Sequence, residues 1–122
     1  MGSKDETEQI GSGNEVVSIS GTEDFDNRLE SVDAVFIDFH AEWCGPCIAM
    51  EPIIESVAAT VDVPVIEVDV DDHQDIASRY NVRSIPTYVV ISEGTVTARF
   101  VGKQSREDLE AAIEAAASPP GQ

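Results

Sequence analysis

Both cysteines of this chain lie in the segment Phe39-His40-Ala41-Glu42-Trp43-Cys44-Gly45-Pro46-Cys47. The apolar residues 34–39 predict a strand buried on both faces, and the spacing of apolar residues over 48–61 predicts a helix. The cysteine pair therefore marks the point where a strand passes into a helix N-terminus. Unpaired backbone N–H groups and the helix dipole stabilise a thiolate there, so this position suits reactive cysteines.

The length of the chain, 122 residues, fits a single domain with a core of its own. A chain of this size buries roughly two-thirds of the surface that it exposes when unfolded. Cys44 and Cys47 are too close in sequence to close a loop that would stabilise the fold, so a disulfide framework does not explain them. Redox chemistry, metal binding and chance remain as explanations.

The composition is strongly acidic, because 24 Asp and Glu residues against 7 Lys and Arg residues give a formal charge of −17. Such a charge disfavours nucleic acid and anionic membranes as partners. The acidic residues are spread over nearly every predicted exposed face and are not clustered as a partner-binding patch would be. We therefore favour adaptation to the multimolar salt of a halophile, where screening shortens to about 3 Å or less, over an ordinary acidic protein.

Polar termini frame the folded region. We expect residues 1–14 to form a disordered acidic tail, residues 15–117 one domain, and residues 118–122 a flexible tail. No window approaches the roughly 18 apolar residues of a membrane helix, and the N-terminal residues lack the apolar core of a secretion signal. We therefore expect a cytoplasmic protein that does not bind membranes. In that compartment an exposed Cys pair is more often catalytic than structural.

The rest of the pattern predicts strands that alternate with helices and end in a hairpin. Strands are predicted at residues 16–19, 34–40, 64–70, 86–91 and 95–101. Helices are predicted after Thr22, from Pro46 or Cys47 to Val61, from Asp71 or Asp72 to Tyr80, and from Ser105 onward. Their N-caps are expected to be Thr22, one of the two aspartates, and Ser105. Asn81 is expected to take the left-handed position after Tyr80. The sequence thus predicts an α/β domain whose sheet begins with parallel strands and ends in a hairpin through Ser92-Glu93-Gly94.

Asp38 interrupts the apolar second strand with a carboxyl group. A solvated position at a frayed strand end would explain it. We favour a carboxyl buried beneath the Cys pair, because its place between Ile37 and Phe39 aims it into a layer that should be dry. Burial disfavours the charged form and raises the pKa of such a carboxyl, which is typical of functional sites.

The order of the elements and several motifs resemble the thioredoxin family. The motifs are Trp43-Cys44-Gly45-Pro46-Cys47 at the second strand-to-helix junction, Asp38 six residues before the first cysteine, Pro52 five residues after the second, and Ile85-Pro86-Thr87 at the fourth strand. The resemblance spans residues 16–117. It implies a thioredoxin fold, in which a central mixed five-stranded sheet is flanked by four helices.

The resemblance also implies an activity, that of a protein-disulfide reductase working by dithiol–disulfide exchange. Cys44, at the start of the helix and expected to be the more exposed thiol, attacks a target disulfide. Cys47, one turn inward and buried, then resolves the mixed disulfide. Asp38 is the candidate base that accepts the Cys47 proton through a water. We expect no cofactor beyond the Cys pair, and no metal.

A second group of residues is expected to bind the target segment, namely Trp43, Gly45, Pro46, Ile85, Pro86 and Gly102. Gly45 permits close approach of a target backbone. Pro46 suits the first helical position and resembles the reducing members of the superfamily. Pro86 resembles the family's cis-proline, and a cis bond would turn the Ile85 backbone toward a bound segment. Partial core packing is the alternative for Trp43.

Three positions depart from the family pattern. Glu67 stands where many thioredoxins carry a lysine, Ile48 where a lysine or arginine is common, and His40 where an aromatic residue is usual. If Glu67 points toward Asp38, we expect the pKa of Asp38 to rise and its carboxyl to be substantially protonated at neutral pH in the oxidised protein. Ile48 makes the rim around the thiols more apolar. His40 is expected to be a packing residue, with a minor tuning role as the alternative.

The expected partners are disulfide-containing target proteins and a thioredoxin reductase that draws on NADPH or ferredoxin, and the chain is expected to be a monomer. Three alternatives stay open. An oxidant or isomerase is disfavoured by the Gly45-Pro46 dipeptide and by the missing secretion signal. A metal-binding module has two Cys ligands, but His40 and His73 are far apart in the chain. A non-catalytic interaction subunit would function without Cys44.

Overall fold

The computed structural model describes residues 15–117 as strands and helices in the order predicted from the sequence. These are β1 (Val16–Ser18), α1 (Thr22–Glu30), β2 (Ala34–His40), α2 (Gly45–Thr60), β3 (Val65–Asp69), α3 (Gln74–Arg79), β4 (Thr87–Ser92), β5 (Thr95–Val101) and α4 (Arg106–Ala117). The two predicted tails, residues 1–14 and 118–122, lie outside the described residues. Within residues 15–117, none of the helices has the length and apolarity that a membrane crossing requires.

The strands form one mixed sheet in the order β1-β3-β2-β4-β5. β3 runs parallel to both β1 and β2, whereas β4 is antiparallel to β2 and to β5. β2 is therefore the central strand, and six of its seven residues are buried, as its apolar run predicts. The predicted five-stranded mixed sheet with four helices is confirmed.

Two apolar cores lie on opposite faces of the sheet. On one face, α2 and α4 cover Phe36, whose ring stacks on Tyr88 with the centroids 5.7 Å apart. On the other face, α1 and α3 cover Ile37 and Phe39. Because successive residues of a strand point to opposite faces, Asp38 shares the face of Phe36. The unusual carboxyl of β2 therefore lies on the α2 side of the sheet.

Two of the predicted helix caps are wrong, because the side chains expected to cap the helices form hydrogen bonds with residues distant in sequence instead. Gly21 occupies the N-cap of α1, and the Thr22 hydroxyl donates instead to the Asp75 carboxylate. His73 occupies the N-cap of α3, whereas the Asp71 carboxylate accepts a hydrogen bond from Trp43. The other predicted cap is confirmed, since Ser105 Oγ accepts a hydrogen bond of 3.1 Å from the Asp108 N–H.

The predicted turns hold with one correction. Asn81 has the left-handed φ of 57° that ends α3. The hairpin between β4 and β5 turns through two residues rather than three, because Ser92 still pairs with Thr95 in the ladder. Glu93 and Gly94 both have positive φ, 51° and 82°, which matches the twist of the flanking strands.

Candidate active site

The N-terminus of α2 is built around Cys44. Cys44 is the N-cap residue, and its Sγ accepts a hydrogen bond of 3.2 Å from the Cys47 N–H. Gly45 is the first helical residue, so Pro46 is the second and not the first, and its missing N–H leaves no helical hydrogen bond unmade. The first turn of α2 contains no acidic residue. The helix end therefore offers N–H groups, and no carboxylate of that turn opposes negative charge at Cys44.

Cys44 and Cys47 form a disulfide, with their Cα atoms 5.2 Å apart. Both are buried, with 4% of Cys44 and 6% of Cys47 exposed. The expectation that Cys44 is the more exposed is therefore wrong for the oxidised protein. The physical reason is local packing: the cysteines and Ala41 form one buried cluster, against which Val70 and Ile85 lie.

The loop before β4 brings the predicted proline to the cysteines. The Ile85–Pro86 peptide bond is cis, and Ile85 packs against the cysteine cluster. Gly102 lies beside Pro86, because its N–H donates a hydrogen bond of 2.8 Å to the Pro86 carbonyl. Gly102 has a φ of 88°, a conformation that strains any residue with a Cβ. The structure thus places Ile85 against the disulfide, with Pro86 next to it in the chain and Gly102 hydrogen-bonded to Pro86.

A groove opens next to this loop. Trp43 is 69% exposed, so most of its side chain lies outside the core, and its Nε1 donates a hydrogen bond of 2.6 Å to Asp71 Oδ2. The groove has a volume of about 440 Å³ and is lined by Trp43, Val70, Val82, Arg83, Ser84 and Ile85. Ile48 is half exposed on α2. The rim of the site is therefore apolar, with one arginine in the groove.

Sequence reasoning missed five residues of this region: Val70, Asp71, Val82, Arg83 and Ser84. Two signals could have found them. Arg83 and Ser84 directly precede Ile85 in the chain. Val70 and Asp71 follow β3, and the carboxyl ends of parallel neighbours such as β3 and β2 meet at the same edge of a sheet. That edge carries the cysteines.

Asp38 is buried within β2, with 8% of the residue exposed. A solvated position at a frayed strand end is therefore wrong. Its Oδ1 has no hydrogen-bond partner among the described residues. Burial raises the pKa of Asp38 to about 7; the nearby Glu67 and Glu51 carboxylates also raise it, and His40 lowers it. The carboxyl is thus partly protonated at neutral pH.

The residues that pair with Asp38 on the neighbouring strands define its surroundings. Tyr88, its partner on β4, is buried, and burial raises the pKa of Tyr88, with a further contribution from the Asp38 charge. Glu67 is its partner on β3, so the two carboxyls point to the same face. His40 is partly exposed and its Nε2 lies 3.7 Å from Glu67 Oε1. With 20% of its side chain exposed, His40 fits the expected packing role, and its contact with Glu67 also fits the alternative of a tuning role.

Among the described residues, no potential metal site accompanies the cysteine pair. Across residues 15–117, no three or more His, Cys, Asp or Glu side chains are placed to hold a metal ion. The chemistry available at the site is that of the sulfur pair, a helix N-terminus that stabilises negative charge on Cys44, and a buried carboxyl that can take up a proton.

Comparison with known proteins adds relatives to this geometry. The thioredoxin family model matches residues 16–115. Mitochondrial thioredoxin of Mus musculus is 40% identical over 94 residues, which cover 75% of this chain and 57% of that protein. Thioredoxin of Staphylococcus epidermidis is 37% identical over 93 residues, covering 75% of this chain and 88% of that protein. The chain therefore spans little more than half the length of the mitochondrial relative and most of the bacterial one.

A solved structure is similar over a larger part of the chain. A mutant thioredoxin from Halobacterium salinarum NRC-1 superposes with a TM-score of 0.83 at 36% sequence identity. The match covers 88% of this chain and 96% of that one. The similarity therefore extends over most of the chain.

Proposed function

This chain belongs to the thioredoxin family, and on that premise we propose that it is a protein-disulfide reductase acting through Cys44 and Cys47. The observation that carries the proposal is the Cys44–Cys47 disulfide at the N-terminus of α2, with Ile85 of the cis-proline loop packed against it. A disulfide in that position can be reduced and re-formed without a change of fold.

The reaction begins with the reduced protein. The Cys44 thiolate attacks one sulfur of a target disulfide, a mixed disulfide forms, and the second target sulfur leaves as a thiolate that takes a proton from solvent. The Cys47 N–H, 3.2 Å from Cys44 Sγ, and the dipole of the 16-residue α2 favour the thiolate. Cys44 is therefore the attacking cysteine.

The second step oxidises the pair. Cys47 transfers its proton to Asp38, through a water, and the Cys47 thiolate attacks Cys44 Sγ. The bond between Cys44 and the target breaks, and the target leaves as its second thiolate. Two electrons have then moved to the target, and the Cys44–Cys47 disulfide has formed. The raised pKa of Asp38, about 7, suits a base that works near neutral pH.

The target segment binds along the groove between Trp43 and Ile85. Gly45 and Pro46 are exposed beside the disulfide and leave room for an extended backbone. The cis bond before Pro86 presents the backbone of Ile85, and Gly102 keeps the neighbouring turn in place through its hydrogen bond to Pro86. Groups of this kind recognise the backbone around a disulfide more than its side chains, which suits a reductase with several targets.

We assign partners by the same reasoning. The disulfide left on Cys44 and Cys47 is returned to the dithiol by a thioredoxin reductase that draws on NADPH or ferredoxin. The reaction needs no dissociable cofactor, since the sulfur pair carries the electrons. The protein acts as a monomer in the cytoplasm, where a reducing environment suits a reductase, and its net charge of −17 fits a halophilic host.

The test is an insulin-reduction assay driven by dithiothreitol. We expect the protein to accelerate insulin reduction and Cys44→Ser to abolish that acceleration, because the attacking thiolate is gone. Cys47→Ser should instead accumulate a mixed disulfide with insulin, visible by non-reducing electrophoresis and mass spectrometry. A Cys44→Ser variant as active as the parent would contradict the enzymatic role.

A second measurement fixes the direction of the reaction. The reduction potential of the pair, from equilibration with glutathione buffers, should lie near the value of about −270 mV that thioredoxins have. A potential near −120 mV, as in the strongly oxidising members of the superfamily, would make this protein an oxidant instead.

A further inference from the structure

Two side chains beside Asp38, Glu67 and His40, have no part in the reaction described above. Glu67 pairs with Asp38 across β3 and β2, and His40 follows Asp38 by two residues, so all three point to the same face. Glu67 Oε1 lies 3.7 Å from His40 Nε2, and Glu67 Oε2 accepts a hydrogen bond from Ser18 Oγ on β1. The Glu67 carboxylate is thus held on one side by a hydroxyl and faces the imidazole on the other.

His40 and Glu67 also reach the solvent. Both line a cleft of about 180 Å³, whose other lining residues are Ser18, Ile19, Glu42, Asp69, Asp72 and His73. Asp38 is not among these residues. His40 and Glu67 therefore stand both beside the buried carboxyl and in this cleft.

The polar groups around Asp38 act on its ionisation in opposite directions. Glu67 on β3 and Glu51 on α2 oppose its ionisation, and Tyr88 on β4 faces it as a neutral phenol. His40 favours its ionisation. No salt bridge joins Asp38 to a lysine or arginine of residues 15–117. Among the described residues, the side chain that favours the ionised form of Asp38 is thus His40.

We propose that His40 is a positioning residue for the resolving step, in which its imidazole favours the ionised form of Asp38 and Glu67 holds the ring in place. The proposal rests on the proposed function, because it takes Asp38 as the acceptor of the Cys47 proton. His40 makes and breaks no bond to sulfur. Its place beside Asp38 helps to set the pH at which Asp38 becomes an anion and, through Asp38, the pH at which Cys47 can be deprotonated for its attack on Cys44.

Two substitutions of His40 separate its charge from its packing. His40→Gln keeps a polar side chain of similar size without the charge, and His40→Lys restores a positive charge without the ring. The midpoint of Asp38 titration, from carboxyl ¹³C NMR of the oxidised protein, should rise by about half a pH unit or more in His40→Gln. In His40→Lys it should lie at or below the parent value. An unchanged midpoint in His40→Gln, or the same rise in both variants, would overturn the proposal.

The kinetic readout is the pH profile of mixed-disulfide resolution in single-turnover experiments. In His40→Gln the midpoint of this profile should move to higher pH by the same amount as the titration midpoint of Asp38. In His40→Lys the midpoint should return to the parent value. His73→Gln is the matched control, because His73 lines the same cleft at the N-cap of α3. Its Asp38 titration and its pH profile of resolution should both match those of the parent. A titration shift without a kinetic shift would remove His40 from the resolving step.

The role of Glu67 is tested by combining substitutions. Glu67→Gln removes a negative charge beside Asp38, so it should lower the Asp38 midpoint in the His40→Gln background. In the parent it should lower the midpoint less, because the ring also loses the carboxylate that holds it. Equal effects in both backgrounds would show that Glu67 does not act through His40. A parent protein that fails to reduce insulin at every pH would instead refute the proposed function, since the NMR midpoints do not depend on activity.

Discussion

At the scale of single residues, burial of the Asp38 carboxyl lowers the stability of the folded state wherever that carboxyl must ionise. The carboxyl is buried, its Oδ1 has no hydrogen-bond partner among the described residues, and its pKa of about 7 lies well above the 3.8 of an ordinary aspartate. Below about pH 4 the carboxyl is protonated in both the folded and the unfolded chain. As the pH rises to about 7, the unfolded chain ionises freely while the folded one resists, so the folded state loses stability across that range.

We therefore expect Asp38→Asn to stabilise the oxidised protein in a pH-dependent way. Near pH 4 the variant and the parent should unfold with similar free energies. Above about pH 7 the variant should be more stable by about 2 to 4 kcal/mol. Urea denaturation across this range measures the difference. Asp62→Asn, which removes an exposed carboxylate, should open no such gap; a gap of the same size in both variants would contradict the role of burial.

Trp43 gives a second prediction at this scale. Its side chain is largely exposed and lines the groove, so Trp43→Ala should leave the unfolding free energy nearly unchanged while it weakens target binding. We expect the KM for a disulfide peptide to rise several-fold with a smaller change in kcat. Val96→Ala, at another exposed apolar residue on β5, is the control and should leave KM unchanged. Equal KM values for Trp43→Ala and the parent would exclude the groove as the binding site.

At the scale of elements, β5 holds the segment that leads to the cis-proline. Arg99 donates from Nη1 to the Tyr80 carbonyl at 2.7 Å and from Nη2 to the Asn81 carbonyl at 2.8 Å. Both carbonyls belong to the end of α3, where Asn81 takes its left-handed conformation. One planar guanidinium therefore ties the start of the 80–86 loop to the sheet.

Arg99→Lys should loosen this loop, because an ammonium group cannot donate two bonds in the same fork geometry. We expect a loss of about 1 kcal/mol in unfolding free energy and a higher KM for target disulfides, since Ile85 and Pro86 lie in the loop. Denaturation and steady-state peptide reduction measure the two effects. Arg106→Lys is the matched control, because its contacts are with Ser56 and Glu110 on α2 and α4, and it should not change KM.

At the scale of the whole molecule, the carboxylates far outnumber the cations. Arg28, Arg79 and Arg106 are each paired with an acidic side chain, and within residues 15–117 most acidic side chains form no salt bridge with a lysine or arginine. Repulsion among them opposes the compact state, and salt screens it. The stability of the fold is therefore tied to ionic strength.

We expect the Tm to rise as KCl increases from about 0.1 to about 2 M, since the screening length falls from about 10 Å to less than 3 Å. Differential scanning calorimetry measures it, and insulin reduction should rise with salt in parallel. Near pH 4, where many carboxylates are protonated, the gain from salt should shrink. A Tm that falls with KCl at neutral pH would remove the argument for a halophilic host.

The sequence by itself determined the features that depend on neighbours along the chain. Apolar periodicity predicted every strand and helix to within a few residues, because it reflects which face of an element is buried. The motif around Cys44 and Cys47 placed the sulfur pair at a helix N-terminus, and the apolar run around Asp38 predicted its burial. Each of these depends on residues that lie next to one another in the chain.

Tertiary structure alone decided where polar side chains found their partners. Thr22 and Asp71 are good helix caps by local preference, but Asp75 and Trp43 bind them across the fold. Packing of Ile85 and Val70 on the disulfide buried Cys44. The pairing of β2 with β3 set Glu67 beside Asp38 and His40, and strand register follows from the packing of the whole sheet. The cysteines could thus be found by reading along the chain, whereas the polar side chains around the buried Asp38 meet only once the sheet has formed.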